Sequence, residues 1–142
     1  MPLDFLYPTG YIKGRTGTAE AEGADMDKAN ADKKKHFRMM QGVKDFMRDQ
    51  SGDAKQELNS IIWKLEAEGA LSMPYAEKLD GENLFAIRVI QAANIRIFYV
   101  YGIADIVFGI HGYVKKTQEI PEKEMRYARK VLRQLIQGGL VK

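Results

Sequence analysis

The chain has 142 residues, 45% of them hydrophobic, which is enough for one compact domain with a modest core. It contains no cysteine and only two histidines, so disulfides and thiolate metal sites are excluded, and no spacing typical of a metal site is present. The longest apolar runs are strand-sized and the N-terminus lacks a signal-peptide core, so we expect a cytoplasmic protein without a membrane span. Residues 111–142 carry eight lysines and arginines against three glutamates. This excess of positive charge indicates either a polyanionic partner or a helix face exposed to solvent, and the charge alone favours neither.

Residues 1–35 are predicted to be a flexible N-terminal tail, because they are rich in Gly, Ala, Thr and acidic residues and show no apolar period beyond the first few positions. A single domain is predicted over residues 36–142. It begins with a short strand at residues 36–41, and a short helix follows with its apolar face at residues 43–47.

A second, longer helix is indicated by a regular apolar stripe. Asp53 and Gln56 have the spacing of a capping box at its start, and Gly69 stands where a C-terminal glycine ends a helix. The stripe consists of Ala54, Leu58, Ile61, Ile62 and Leu65.

The second half of the chain changes to a period of two. Residues 84–89, 95–101 and 106–111 alternate β-branched and aromatic side chains and predict three strands. Asn94 and residues 102–105 supply short turns, so neighbouring strands are expected to be antiparallel.

A last helix is predicted to open at Pro121 and to end at the glycine pair beginning with Gly138. The predicted order is β–α–α–β–β–β–α, an α+β fold with a small antiparallel sheet. We expect the helices to cover one face of this sheet and to leave the other partly open for a nucleic acid. The buried stripe of the last helix is Met125, Ala128, Leu132 and Leu135 or Ile136, and its basic face is Lys123, Arg126, Lys130 and Arg133.

Two arginines, Arg88 and Arg96, stand inside otherwise apolar strands, where a charge must pair, face water or serve a ligand. For either residue alone, pairing or solvent exposure is as good an interpretation as ligand binding. Their occurrence on consecutive strands favours a phosphate site, because the guanidinium fork suits phosphate oxygens. Tyr99 and Tyr113 are candidates for stacking on RNA bases, although aromatic residues at strand spacing are more often part of a core.

Residues 111–118 bring an imidazole, a phenol, two ammonium groups, a hydroxyl and an amide to the predicted exit of the last strand. RNA cleavage through the 2′-hydroxyl needs a base, an acid and cations that stabilise the phosphorane, and it requires no metal. His111, Lys115 and Lys116 supply these groups. Taken alone, the segment fits a strand histidine and a solvated lysine turn better than it fits a site.

Several separated segments together resemble the phage-derived, HigB-like branch of the RelE/HigB toxin superfamily. The resemblance covers about residues 36–137, and its most specific part is the run His-Gly-Tyr-Val-Lys-Lys-Thr-Gln-Glu-Ile-Pro at residues 111–121, combined with Arg88 and Arg96. The family commonly has Phe where this chain has Tyr113. The other segments that carry the resemblance are residues 69–74, 78–81, 84–88, 96–99 and Ala128.

The resemblance implies a RelE-like microbial RNase fold with a helical hairpin on one sheet face and a C-terminal helix. It also implies a toxin that acts as a metal-independent, ribosome-dependent mRNA endoribonuclease without a cofactor, and whose partners are the ribosome, mRNA and an antitoxin of helix-turn-helix type. On this basis the catalytic candidates are Arg88, Arg96, His111 and Lys115, and the RNA-binding candidates are Tyr99, Tyr113, Lys116, Lys123, Arg126 and Lys130.

Two other functions fit the same sequence. One is a ParE-like inhibitor of DNA gyrase that cuts nothing, although the polar groups of residues 111–116 argue against it. The other is a decayed prophage module that binds nucleic acid without catalysis. The nuclease hypothesis requires that the strand arginines and residues 111–116 converge on one phosphate-sized region, on one side of the sheet and not tied up in interior ion pairs.

Overall fold

The computed structural model describes residues 33–79 and 83–142 and confirms the α+β class. The predicted elements are present in the predicted order, with one additional three-residue strand before the first predicted hairpin. Residues 1–32 of the predicted tail lie outside the described residues. The elements are β1 (His36–Met39), α1 (Gln41–Arg48), α2 (Gly52–Glu68), β2 (Ala76–Lys78), β3 (Phe85–Val89), β4 (Ile95–Tyr101), β5 (Ile106–Val114) and α3 (Glu122–Gln137).

The five strands form one mixed sheet in the order β1-β5-β4-β3-β2. The strands from β2 to β5 are antiparallel to their neighbours, as the short turns predict, but β1 runs parallel to β5. The expectation of a purely antiparallel sheet was therefore wrong. Two helices separate β1 from the other strands, and no turn in the sequence fixes its direction.

Helices cover both faces of the sheet, which corrects the expectation of one open face. Helices α1 and α2 pack on one face, where Ile97 and Tyr99 belong to the core, and α3 packs on the other, where Phe98 and Val100 belong to a second core. All of β4 except Tyr101 is buried, because its side chains are apolar or aromatic on both sides of the strand apart from one arginine.

The ends of α2 follow local sequence signals, with one correction at the start. The cap is Ser51 and not Asp53: the Ser51 hydroxyl accepts a hydrogen bond from the backbone N–H of Ala54 at 3.1 Å, and the helix begins at Gly52. Gly69 ends the helix with a φ of 83°, as predicted, since a left-handed residue at this position favours glycine. The predicted apolar stripe is buried throughout.

The folded unit includes residues 33–35, which the sequence analysis assigned to the tail. Lys33 Nζ lies 3.0 Å from Glu66 Oε1, and both side chains are almost fully buried. The other oxygen of Glu66 accepts the backbone N–H of Phe37 at 2.9 Å. One carboxylate at the end of α2 therefore fastens the beginning of the described chain to β1.

Candidate functional site

One row of polar side chains crosses β3, β4 and β5 on the sheet face that α3 covers. Arg88 pairs in register with Arg96, and Arg96 with Tyr113. His111 follows on the same face in the next row, opposite Phe98. Because alternate residues of a strand share a face, these side chains occupy one side of the sheet.

The length of β5 explains why His111 and Tyr113 lie side by side. The strand continues to Val114, so Tyr113 belongs to it together with His111, whereas the sequence analysis ended this strand at residue 111. Gly112 between them faces α1, and a Cβ atom there would lie 2.7 Å from the ring of Phe46. This close contact on the α1 face directs His111 and Tyr113 toward α3.

His111 is held by α3 in a defined position. Its Nε2 lies 2.6 Å from Glu124 Oε1, and the imidazole is partly buried. The ring stacks on Phe98 with centroids 5.9 Å apart, and the ring of Tyr127 lies 4.5 Å away. Sequence reasoning missed Glu124 and Tyr127, because an acidic residue in the first turn of a helix is ordinarily explained by the helix dipole.

Arg96 is only 4% exposed and takes part in an interior network. Its Nε lies 3.6 Å from Glu77 Oε1, and its NH1 nitrogen donates to Asn94 Oδ1 and to the Ile95 carbonyl oxygen, both at 3.1 Å. Burial and the nearby Arg88 lower the pKa of Arg96, and Glu77 opposes the shift. For Arg96, the structure thus shows the carboxylate pairing that the sequence left open, with a guanidinium that stays charged. Glu77 lies on β2, the strand that was not predicted.

Arg88 is more accessible than Arg96. Its side chain is partly buried and donates one hydrogen bond to the carbonyl oxygen of Pro74 at 3.3 Å. Since Arg88 stands directly opposite Arg96, two positive charges lie next to one another with Glu77 as the neighbouring anion. Such a pair of like charges attracts an additional anion.

Arg96 Nε and Glu77 Oε1 make no hydrogen bond but face one another as an ion pair at 3.6 Å, whereas the buried Tyr113 hydroxyl has no partner among the described residues. Burial raises the pKa of Tyr113 to about 12, with Arg96 opposing the shift and Glu124 and Glu77 adding to it. The hydroxyl therefore keeps its proton at neutral pH and remains a donor. Unpartnered buried polar atoms are uncommon in proteins, and in this row the Tyr113 hydroxyl is such an atom.

Tyr99 does not lie with these residues, which corrects its predicted role in RNA stacking. It is fully buried on the opposite face, with its ring 5.3 Å from Phe85 and 6.5 Å from Phe37. Burial raises its pKa far above the ordinary value, and Tyr101 adds to the shift. Tyr99 is a core residue and offers no surface to a base.

The remaining predicted residues surround the row at the surface. The backbone N–H of Lys115 donates to the Asn94 carbonyl at 2.7 Å, and the Asn94 amide donates to the Lys115 carbonyl at 2.8 Å, so the end of β5 is fixed to the loop before β4. Lys115 is partly exposed and Lys116 is exposed. The exposed side chains on the outer surface of α3 include Lys123, Arg126 and Lys130.

The described part of the chain offers neither a metal site nor a helix that could span a membrane. Among residues 33–79 and 83–142, no cluster of three or more histidine and acidic side chains is arranged to hold a metal ion. Within the same residues, no helix combines the length and the apolarity needed to cross a membrane. The polar row and the His111–Glu124 pair remain the best candidate site.

The fold and this site define a small α+β protein with a basic rim around a histidine–carboxylate pair. A family model described as phage-derived protein Gp49-like (DUF891) matches residues 45–133, a range that includes every residue of the candidate site. The chain belongs to this family, which is associated with toxins of toxin–antitoxin systems of the RelE/HigB-like type. No curated protein matches the chain.

Proposed function

We propose that the protein is the toxin of a type II toxin–antitoxin pair and cleaves mRNA on the ribosome. The observation that carries this proposal is the placement of His111, held by Glu124, on the same sheet face as Arg88 and Arg96. A general base next to a pair of cations is what 2′-hydroxyl attack on a phosphodiester requires. Membership of a family associated with such toxins supports the same function.

The hydrogen bond to Glu124 assigns a role to each imidazole nitrogen of His111. An ionised carboxylate only accepts hydrogen bonds, so Nε2 carries the proton that it shares with Glu124. Nδ1 is then the basic nitrogen that takes the proton of the 2′-hydroxyl, and Glu124 stabilises the imidazolium that forms. Stacking against Phe98 restricts the orientation of the ring.

The two arginines have different roles toward the phosphate. Arg88, partly exposed, contacts the phosphate oxygens, whereas Arg96, opposite it on β4, is held in the interior by Glu77 and contributes positive charge without direct contact. Tyr113 is only 6% exposed and belongs to the core beneath α3, so its predicted contact with RNA is corrected: it supports the site from the interior and does not reach the phosphate. Lys115, at the end of β5, is the candidate for protonating the leaving 5′-oxygen. Attack, charge stabilisation and departure are then each assigned to a residue of this chain.

The exposed cations around the site, which we call the basic rim, contact the rest of the RNA and the ribosome. Lys116, Lys123, Arg126 and Lys130 are exposed and positively charged, and such side chains bind the nucleic acid backbone through phosphate contacts without reading sequence. The family association supports an antitoxin as the partner that neutralises the toxin, and we propose that this antitoxin is of helix-turn-helix type.

Induced expression in bacteria with radiolabelled methionine tests this function. The wild-type protein should stop incorporation, and the Arg88→Ala variant should restore it. The Lys64→Ala variant is the matched control, because Lys64 is a surface cation on α2 that pairs with Glu68 at 3.1 Å, and it should stay toxic. A DNA-damage response with intact translation would instead indicate a gyrase inhibitor, and harmless expression of the folded protein would indicate a binding module.

A further inference from the structure

Tyr127 is the exposed end of a stack of rings that begins in the core. Phe98 is fully buried, and His111 lies nearly parallel to it, with 4° between the ring planes. Tyr127, on α3, is the next ring: its centroid lies 4.5 Å from that of His111, and the two ring planes are tilted by 47°. The residue is 49% exposed, although a tyrosine on a helix that packs on a sheet can normally bury its ring.

Three cations of α3 stand close to Tyr127 along the helix. Lys123 and Lys130 stand four residues before and three residues after Tyr127, so the helical period places them on the same stripe of α3, and Arg126 is adjacent. All three cations are exposed. Although α3 is acidic in its first turn, Glu124 is engaged by His111, and Glu122 lies 3.7 Å from Arg129.

An aromatic face bordered by cations matches single-stranded nucleic acid better than other partners. Unpaired bases stack on aromatic rings while lysines and arginines neutralise the adjoining phosphates. The bases of a duplex are already stacked on one another, and an apolar protein segment would gain nothing from the surrounding cations.

We propose that Tyr127 is a stacking platform for an unpaired RNA base at the nucleotide adjoining the phosphate on which His111 acts. This inference rests on the proposed function and extends it to the substrate: the ring positions the base, and its contact with His111 places the ribose 2′-hydroxyl near the imidazole. Tyr127 is a positioning residue and takes no part in proton transfer. Stacking is tolerant of base identity, so the platform sets the position of the strand more than its sequence.

Binding of an uncleavable RNA tests the proposal independently of catalysis. The probe is a fluorescein-labelled single-stranded RNA in which all 2′-hydroxyls are methylated, and its dissociation constant is measured by fluorescence anisotropy. Tyr127→Ala should weaken binding about tenfold, and Tyr127→Phe, which keeps the ring, should bind like the wild type. The matched control is Trp63→Ala, which removes a 59% exposed aromatic residue on α2 and should leave the affinity unchanged.

A second probe separates stacking from a structural effect of the substitution. When one nucleotide at a time is made abasic, one position should weaken binding to the wild type and have no effect on the Tyr127→Ala variant, because the lost contact is the same. Equal affinity of Tyr127→Ala and wild type, abasic effects that are the same in both, or no binding by the wild type would overturn the stacking role. The proposed nuclease is tested separately by cleavage of unmodified RNA, so each proposal can fail without the other.

Discussion

The neighbours of His111 suit its imidazole for the role of base that we propose. A histidine alone on a strand is most often a hydrogen-bonded structural residue. Here a carboxylate from α3 holds Nε2 at 2.6 Å, and aromatic rings from β4 and α3 confine the imidazole. Confinement and a counter-charge are the two features that make an imidazole an effective base, because they fix its tautomer and stabilise its protonated form.

A substitution of Glu124 tests this pairing. Glu124→Gln keeps the size of the side chain and removes the charge that stabilises the imidazolium. We expect kcat for RNA cleavage to fall about tenfold to a hundredfold with little change in KM. Glu122→Gln, in the same turn of α3 but 3.7 Å from Arg129, is the control and should retain wild-type kinetics. Identical kinetics for the two variants would show that Glu124 does not act on His111.

The buried Arg96–Glu77 pair predicts a change in stability. Arg96→Met removes the cation and leaves Glu77 without its partner, so we expect the free energy of unfolding to fall by about 2 kcal/mol, less than for a fully buried pair because Glu77 is partly exposed. Glu77→Gln added to Arg96→Met should recover part of the loss. Urea denaturation measures both, and a double variant less stable than Arg96→Met would contradict the pairing. Arg88 is consequently the cleaner position for tests of activity.

The positions of single residues followed from the sequence only where a simple period determines them. Arg96 and Tyr99 are three residues apart on one strand, so the period of two places them on opposite faces, and nearness in sequence was misleading. Glu77 and Glu124 could not be assigned, because their partners are 19 and 13 residues away and no local pattern encodes such a contact.

At the scale of elements, the turn between β3 and β4 is held by a helix. One carboxylate on α2, that of Glu57, accepts the backbone N–H groups of Ile90, Gln91 and Ala92 at 2.7–3.1 Å. Burial opposes ionisation of Glu57, but these three donors prevail and lower its pKa. The hairpin that carries both arginines is thereby fixed to α2.

Glu57 predicts a pH-dependent contribution to stability. Because its pKa in the folded protein is lowered, the contribution is complete above the unfolded pKa and disappears as the pH falls through the folded value. At about pH 7, Glu57→Gln should lower the free energy of unfolding by about 1 kcal/mol. Urea titrations of both proteins over a range of pH should show the difference shrinking in acid. A difference independent of pH would show that ionised Glu57 does not hold the turn.

Gly102 fixes the turn between β4 and β5. A Cβ atom there would lie 2.5 Å from the ring of Phe108 and 2.7 Å from the carbonyl oxygen of Leu140. Because a backbone oxygen cannot move aside easily, Gly102→Ala should lower the free energy of unfolding by about 1–3 kcal/mol. Gly42→Ala is the control: no atom lies within 4 Å of that Cβ, and alanine favours α1, so stability should rise by up to about 1 kcal/mol. Thermal denaturation compares the two, and equal shifts would contradict the packing.

Elements with a long regular period were predicted together with most of their buried faces, whereas the shortest strand, β2, was missed. The apolar stripes of α2 and α3 extend over several turns, and the alternation of β3 and β4 extends over several residue pairs. The sequence therefore predicted both these elements and most of their buried faces. Strand β2 has only three residues and exists because it pairs with β3. Ser51 and Asp53 both have side chains that can cap the start of α2, and only the fold decides between them.

At the scale of the whole molecule, the site lies where the N-terminal part of α3 meets the ends of the central strands. The basic C-terminal third of the chain includes α3, and the lysines and arginines of α3 are exposed or partly exposed. The sequence shows the charge asymmetry, and the structure places both arginines and His111 on one sheet face, while their convergence on one phosphate stays a prediction. The sequence did not predict that α3 covers the second face, because an apolar stripe shows that a helix packs but not where.

Cleavage of a defined mRNA by purified protein on programmed ribosomes tests the central claim most directly. The 5′ ends of the products are mapped with the wild type, with His111→Ala and with Trp63→Ala, all first shown to be folded. The nuclease site proposed here predicts cuts at the codon in the ribosomal A site, a loss of at least about a hundredfold in rate for His111→Ala, and no loss for Trp63→Ala. Cleavage by His111→Ala at the wild-type rate, or intact mRNA with the wild type, would contradict it.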